Sequence, residues 1–198
     1  MKGLIAILRG VKPAEVLAVG RALLAGGVDI IEVPLNSPQP FDSIALLVRE
    51  FGERALVGAG TVLTPADADR VADAGARLVL SPNFDAAVVQ RTKARGLLSV
   101  PGVATPSEGF QALAAGADAL KLFPAEMLGP AVLKAWRAVF PAGASMISVG
   151  GIGEHNLAAF KAAGASGVGV GSSLYAPGVA ADEVERRARN LATRWHEA

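Results

Sequence analysis

A short phrase that ends one helix and opens the next strand recurs along the chain and constrains its fold strongly. It reads Ala25-Gly26-Gly27-Val28, Ala74-Gly75-Ala76, Ala115-Gly116-Ala117 and Ala163-Gly164-Ala165. Glycine is the residue best suited to end a helix, and an apolar run follows each copy. The phrase therefore indicates an internal repeat of one strand and one helix, with a period of roughly 20 to 25 residues.

Apolar runs and helical patterns alternate from one end of the chain to the other. The predicted strands are Leu4–Leu8, Asp29–Val33, Ala55–Ala59, Leu78–Ser81, Leu97–Val100, Ala119–Phe123, Met146–Val149 and Gly167–Val170. The predicted helices are Pro13–Ala25, Pro40–Phe51, Pro65–Ala74, Asp85–Ala94, Pro106–Ala115, Pro130–Val139, Glu154–Ala163 and Asp182–Trp195. Several of them begin with proline, whose missing N–H costs nothing in the first turn of a helix.

This alternation predicts an α/β fold, a (β/α)8 TIM barrel that forms one domain over residues 1–198. The structural alternative is an open, doubly wound sheet. That fold usually has fewer units and a phosphate-binding loop after its first strand, where this chain has Arg9-Gly10-Val11-Lys12. In a barrel, the loops after the strands meet at one face, where active sites lie.

Composition excludes several classes of function. A formal net charge of +1 gives no electrostatic basis for binding nucleic acid or a membrane surface. The chain has no cysteine and two histidines, so a metal site would depend on Asp and Glu. No apolar run approaches the roughly 20 residues that span a bilayer, and Leu4–Leu8 is too short for a signal sequence. We expect a cytoplasmic protein.

One lysine, Lys121, stands inside a predicted strand and shares a face with Ala119 and Phe123. A strand covered on both faces should be apolar throughout, and an ammonium group there is costly unless it is paired or deprotonated. A neutral lysine is the nucleophile that forms a Schiff base with a carbonyl compound. The alternative is a lysine at a strand end that reaches water.

One acid, Glu32, also stands inside an apolar strand. Burial raises the pKa of a carboxyl group and so prepares it for acid–base catalysis near neutral pH. The alternative is a structural ion pair, for example with Arg9. If Glu32 and Lys121 point into one barrel mouth, they supply the nucleophile and the proton-transfer group that carbonyl–imine chemistry requires.

Glycine-rich loops follow the seventh and eighth predicted strands, at Val149–Ile152 and Gly167–Leu174. Backbone N–H groups in such loops bind anions, and barrels often hold a phosphate after these two strands. Tight packing is the alternative reason for the glycines. The spacing over residues 167–172 also resembles a dinucleotide-binding loop, but only about 26 residues follow it, too few for a further βαβ unit.

Arg9, Gly60 and Thr61 are candidates to bind the other end of a substrate. The planar guanidinium of arginine binds carboxylates through two parallel hydrogen bonds, and a threonine adds a hydroxyl and an N–H group. A structural clamp is the alternative role for Arg9. His155 begins a predicted helix, where a capping or surface role is the interpretation, and His196 lies in the C-terminal tail.

Seven motifs, in this order along the chain, resemble those of the 2-keto-3-deoxy-6-phosphosugar-acid aldolases. They are Leu4-Ile5-Ala6-Ile7-Leu8-Arg9-Gly10, Ile31-Glu32-Val33-Pro34-Leu35-Asn36-Ser37-Pro38, Gly58-Ala59-Gly60-Thr61-Val62-Leu63, Ser81-Pro82-Asn83, Pro101-Gly102-Val103-Ala104-Thr105-Pro106, Leu120-Lys121-Leu122-Phe123-Pro124-Ala125 and Val149-Gly150-Gly151-Ile152. The resemblance implies a class I aldolase that needs no metal and no cofactor, acts on a small phosphosugar acid and assembles as a homotrimer.

The resemblance also implies roles for individual residues. Lys121 would be the Schiff-base lysine and Glu32 the general acid/base. The carboxylate of the substrate would bind Arg9, Gly60 and Thr61. The residues implied for its phosphate are Gly150, Gly151, Gly171 and Ser172.

The family has a gluconate branch and a galactonate branch, and this chain resembles the second. Gluconate enzymes carry Glu-Val-Thr-Leu-Arg where this chain has Glu32–Asn36, and a threonine where it has Val149. We therefore expect cleavage of 2-dehydro-3-deoxy-6-phosphogalactonate to pyruvate and D-glyceraldehyde 3-phosphate. Cleavage of the gluconate epimer, or of both, is the nearest alternative. More distant ones are a phosphosugar epimerase or synthase and a non-catalytic phosphate-ligand binder on the same barrel.

Overall fold

A computed structural model describes residues 1–198, in which strands and helices alternate as predicted. The strands are β1 (Gly3–Ile7), β2 (Ile30–Pro34), β3 (Leu56–Gly60), β4 (Leu78–Leu80), β5 (Leu98–Val100), β6 (Gly102–Val103), β7 (Ala119–Leu122), β8 (Ser145–Val149) and β9 (Gly167–Val170). The helices are α1 (Pro13–Ala25), α2 (Pro40–Phe51), α3 (Pro65–Asp73), α4 (Ala86–Ala94), α5 (Pro106–Ala114), α6 (Ala125–Arg137), α7 (Leu157–Ala162) and α8 (Ala181–Glu197).

The strands form one parallel sheet in the order β5-β4-β3-β2-β1-β9-β8-β7-β6. Its two ends, β5 and β6, are halves of one extended segment that Pro101 interrupts, so the predicted fifth strand continues past the proline. Backbone N–H groups of Asp118 and Lys121 donate to the carbonyls of Ser99 and Pro101, both at 2.9 Å. These bonds join the two ends of the sheet, and the result is the predicted (β/α)8 barrel.

Alternate residues of each strand point into the barrel, and the others point toward the helices. The larger apolar cluster lies between the strands and the helices. A smaller one fills the barrel and contains Ile5, Ile7, Ile30, Leu78, Leu80, Val100, Ala119, Ile147 and Val149. Because Glu32 follows Ile30 by two positions and Lys121 follows Ala119 by two, both side chains point inward.

Two helices, α6 and α7, begin several residues from their predicted starts, and α4 and α8 begin one residue away from theirs. The predicted helix Pro130–Val139 covers only the second part of α6. The first part is a short helical turn that starts at Ala125 and ends at a break at Gly129 (φ 73°, ψ 165°). The prediction for α7 began too early, at Glu154. The loop after β8 continues to Asn156, whose side-chain oxygen accepts the N–H of Gly153, and the helix starts at Leu157.

Side chains cap three helices near the ends of the preceding strands. Thr64, Asp85 and Thr105 accept backbone N–H groups at the start of α3, α4 and α5. Such caps satisfy donors that have no partner inside the helix. None of the helices is at once long and apolar enough to cross a membrane.

Candidate active site

Lys121 lies inside the barrel, next to Gly102 on β6 and Ile147 on β8. Its side chain is buried, and its Nζ lies 4.7 Å from the ring centroid of Phe123. Burial lowers the pKa of Lys121 from its ordinary value; the charge of Glu32 opposes this shift, and the charge of Arg9 adds to it. The desolvated amine is therefore easier to deprotonate than an exposed lysine.

Glu32 enters the barrel from β2, between Ile7 on β1 and Gly58 on β3. It is buried, and its Oε2 has no hydrogen-bond partner. Burial raises the pKa of the Glu32 carboxyl, and the nearby charges of Lys121 and Arg9 partly offset the rise. The carboxylate forms no ion pair with Arg9, so the structural alternative for this residue is wrong. A buried polar atom without a partner is uncommon and often marks a functional site.

Gly60 makes room for the Glu32 carboxyl. A Cβ at this position would overlap Oε2 of Glu32 and lie 2.6 Å from its Cδ. The next residue, Thr61, has a left-handed backbone (φ 56°), which a β-branched residue rarely adopts. Backbone strain of this kind persists where surrounding structure imposes it, and it is concentrated at functional sites.

A cavity of about 900 Å³ lies over the ends of β1, β8 and β9. Six of the ten predicted site residues line it: Arg9, Val149, Gly150, Gly151, Gly171 and Ser172. Inward-facing Ile7 and Phe123 also line it; Lys121 does not, but its Nζ lies over the ring of Phe123. Thr61 lines a separate, smaller cavity of about 270 Å³, together with Asn36.

The glycine loop after β8 has a conformation that suits anion binding. Gly150 and Gly151 have positive φ angles, 107° and 66°, which other residues rarely adopt. Asn156 fixes the loop by donating from Nδ2 to the carbonyl of Gly151 at 2.9 Å. Ser173, after β9, donates from Oγ to the carbonyl of Ile152 at 2.7 Å, so that the two glycine loops are joined.

Asn36 and Ser37, which follow β2, hold the loop after β1. Arg9 donates from Nη1 to Oδ1 of Asn36 at 2.7 Å, and the N–H of Gly10 donates to Oγ of Ser37 at 3.0 Å. The guanidinium of Arg9 is therefore held between the two cavities. In the sequence, Asn36 and Ser37 stood out only as part of a family motif. Their hydrogen bonds join residues 27 positions apart, and no local sequence pattern predicts such contacts.

The lining of the larger cavity also includes two polar rings, those of His155 and Tyr175, that sequence reasoning did not place there. His155 is one; of its predicted capping or surface role, the structure supports the surface part, since the side chain is exposed and Asn156 provides the side-chain contact at this loop. Tyr175 is the other; its hydroxyl donates to Oε1 of Glu15 at 3.1 Å, and burial raises the pKa of the phenol. No group of three or more His, Asp and Glu side chains is arranged to hold a metal ion.

A barrel whose mouth combines a desolvated lysine, a desolvated carboxyl and two glycine-rich loops has the features of a Schiff-base aldolase. The comparison with protein families agrees. The family model described as KDPG and KHG aldolase matches residues 1–189, and the chain belongs to this family.

Two similar proteins are named as galactonate-branch aldolases. The chain is 49% identical, over 93% of its length and 87% of the relative's, to the probable 2-dehydro-3-deoxy-6-phosphogalactonate aldolase of Rhizobium meliloti (strain 1021). It is 43% identical to the 2-dehydro-3-deoxy-6-phosphogalactonate aldolase of Escherichia coli (strain K12), over 98% of this chain and 95% of that one. A solved structure described as native KDPGal superimposes with a TM-score of 0.96 at 43% identity, covering 98% of this chain and 94% of the other.

Proposed function

We propose that this protein is a class I aldolase that cleaves 2-dehydro-3-deoxy-6-phosphogalactonate to pyruvate and D-glyceraldehyde 3-phosphate. The observation that carries the proposal is that Lys121 and Glu32 are the only charged side chains buried in the protein, and both point into the barrel. Burying two charges that form no ion pair is costly for folding. Catalysis is the compensation that fits their chemistry, because each pKa is shifted toward the neutral form.

Lys121 acts as the nucleophile. Its neutral amine attacks the C2 ketone of the substrate, and proton transfers convert the adduct to a carbinolamine. Loss of water gives an iminium ion, which withdraws electrons from the C3–C4 bond. The low pKa that burial imposes on Lys121 supplies the free amine that the first step consumes.

Glu32 transfers protons. Directly or through one water molecule, its carboxylate takes the proton of the C4 hydroxyl, and the new carbonyl forms as the C3–C4 bond breaks. The bonding electrons move to the iminium nitrogen, so D-glyceraldehyde 3-phosphate leaves and an enamine of pyruvate remains. Protonation at C3 and hydrolysis then release pyruvate and restore the amine.

The two ends of the substrate bind different loops. Backbone N–H groups of Gly150, Gly151 and Gly171, with Ser172, hold the phosphate; the positive φ angles after β8 support this role. Arg9, Gly60 and Thr61 hold the carboxylate. Arg9 is hydrogen-bonded to Asn36, and Asn36 lines the same small cavity as Thr61. These contacts support a shared carboxylate-binding role for Arg9 and Thr61.

Val149 supports the choice of the galactonate epimer. Its side chain points into the barrel mouth and lines the larger cavity, so it presents methyl groups where a threonine would present a hydroxyl. The names of both relatives agree with this choice. Cleavage of the gluconate epimer, or of both, is the second candidate, because the family model includes KDPG aldolases.

We further propose a cytoplasmic homotrimer in which residues 1–198 form one barrel domain. The family resemblance is the main support for the trimer. Exposed apolar side chains add to it: Phe110 stacks on Phe140 with ring centroids 4.3 Å apart yet stays exposed, as does the neighbouring Val139. Clusters of this kind often mark contacts between proteins.

Borohydride trapping tests the proposal. The protein is incubated with pyruvate, the imine is reduced with borohydride, and the mass of the chain is measured by mass spectrometry. The wild type should gain one reduced pyruvyl group per chain. Lys121→Ala should lose both the adduct and turnover, since it removes the electron sink. Glu32→Gln should reduce cleavage by about 10²–10⁴-fold but still accumulate adduct on long incubation. A wild type without adduct would reject the aldolase and favour an epimerase, a synthase or a non-catalytic binder.

A further inference from the structure

Only two basic side chains, Arg9 and His155, line the larger cavity. Arg9 is already bonded to Asn36. His155 lies in the same loop as Gly150 and Gly151, is exposed, and makes no hydrogen bond within the protein. The other histidine differs: Nδ1 of His196 lies 2.6 Å from the carbonyl of Ala192, in α8. The imidazole of His155 is therefore not engaged by a hydrogen-bond partner within the protein.

The backbone beneath the imidazole is fixed. Nδ1 and Cε1 of His155 lie 3.2 and 3.3 Å from the position that a Cβ on Gly153 would occupy, so the ring packs against this glycine. The N–H of Gly153 donates to Asn156 at 3.0 Å. The neighbouring carbonyl of Ile152 accepts the Ser173 hydroxyl. This backbone support places the imidazole at the mouth of the glycine loops.

A negative charge beside the glycine loop after β8 makes an additional hydrogen-bond donor to the phosphate favourable. The side chain of Glu126 packs against Gly151, which places a carboxylate beside the loop that we assign to the phosphate. Glu154 is also close, but it forms an ion pair with Arg194 at 3.2 Å. An acid beside a phosphate opposes binding, and a nearby imidazole N–H offsets that repulsion.

We propose that His155 is a phosphate-binding residue that donates a ring N–H to a terminal oxygen of the substrate phosphate. It acts beside the backbone donors of the glycine loops and counterbalances Glu126. The inference rests on the proposed function only for the identity of the phosphate compound. His155 selects for phosphorylated substrates and takes no part in bond cleavage.

Kinetics with a phosphorylated and an unphosphorylated substrate test the role. His155→Ala should raise KM for the 6-phosphate on the order of tenfold, the loss expected for a hydrogen bond to an ion, with kcat unchanged. The same acid without phosphate should be cleaved with an unchanged kcat/KM. His155→Gln keeps an N–H donor and should recover part of the affinity, and His196→Ala is the matched control. Equal effects on both substrates, or no effect on either, would overturn the role.

A second measurement does not depend on aldolase activity. Because the chain has two histidines, the two imidazole Cε1–H signals can be followed by NMR while inorganic phosphate is added at constant pH and ionic strength. The His155 signal, identified by its loss in His155→Gln, should shift saturably while that of His196 stays. No shift at His155, or equal shifts of both signals, would refute phosphate binding there. If pyruvate trapping failed while the His155 signal still shifted with phosphate, the proposed aldolase function would be rejected and phosphate binding by His155 would stand.

Discussion

Gly60→Ala should disable the Glu32 carboxyl without touching the nucleophile. The added Cβ would lie 2.6 Å from Cδ of Glu32, about 1 Å closer than the roughly 3.5 Å at which two carbon atoms make contact. The backbone of Gly60 needs no positive φ, so alanine fits the strand and the carboxyl has to move by roughly 1 Å. A displacement of that size can cost about 10²-fold in rate, and kcat should fall on that scale.

The assay is steady-state cleavage of the galactonate substrate, with borohydride trapping of pyruvate in parallel. Trapping should reach the wild-type end point, because Lys121 is intact. Gly143→Ala is the control: a Cβ there meets nothing within 4 Å, and the glycine has no positive φ. Its kcat should equal that of the wild type.

A double-mutant cycle separates an effect through Glu32 from any other effect. In a Glu32→Gln background proton transfer by this residue is already lost, so adding Gly60→Ala should lower kcat little further. Multiplicative losses would show that Gly60 acts independently of Glu32, for example through its predicted contact with the substrate carboxylate. Wild-type kcat in the single variant would refute the positional argument outright.

Three further predictions concern the pH dependence of adduct formation, the choice of epimer and the number of chains per particle. The rate of pyruvate adduct formation should rise with pH and level off below pH 10.5, because burial lowers the pKa of Lys121; in Glu32→Gln the midpoint should move to lower pH, since the carboxylate that raises this pKa is gone. Val149→Thr should shift the ratio of kcat/KM toward the gluconate epimer by a few-fold to about 10²-fold, and an unchanged ratio would remove Val149 as a specificity residue. Sedimentation at micromolar concentration should show three chains per particle, and a clean monomer would contradict the trimer.

The fold could be predicted because local sequence patterns determine where its strands and helices lie. The recurring Ala-Gly phrase and the alternation of apolar runs each depend on a few neighbouring residues, and the eight-unit barrel follows from their number. Lys121 and Glu32 stood out for the same reason, as single charges inside apolar strands. The structure places both inside the barrel, buried and without an ion pair.

Tertiary contacts could not be predicted. The room that Gly60 leaves for Glu32 depends on the register of β2 against β3, and the bond from Arg9 to Asn36 joins two separate loops. The capping or surface role predicted for His155 came from its position at the start of a predicted helix; the side chain is indeed exposed, but it also lines the cavity. Its place at the cavity depends on how the loops after β8 and β9 are joined by Ser173.

The separation between Lys121 and Glu32 is itself consistent with the proposed chemistry. An ion pair would favour the charged forms of both groups, and a protonated lysine is no nucleophile. Here burial is the larger influence on both pKa values, so each is shifted toward neutrality despite the attraction between the two charges. The unpartnered Oε2 of Glu32 remains free to accept a proton. The arrangement costs folding energy; in return the amine of Lys121 loses its proton more easily, and the carboxylate of Glu32 is a stronger base.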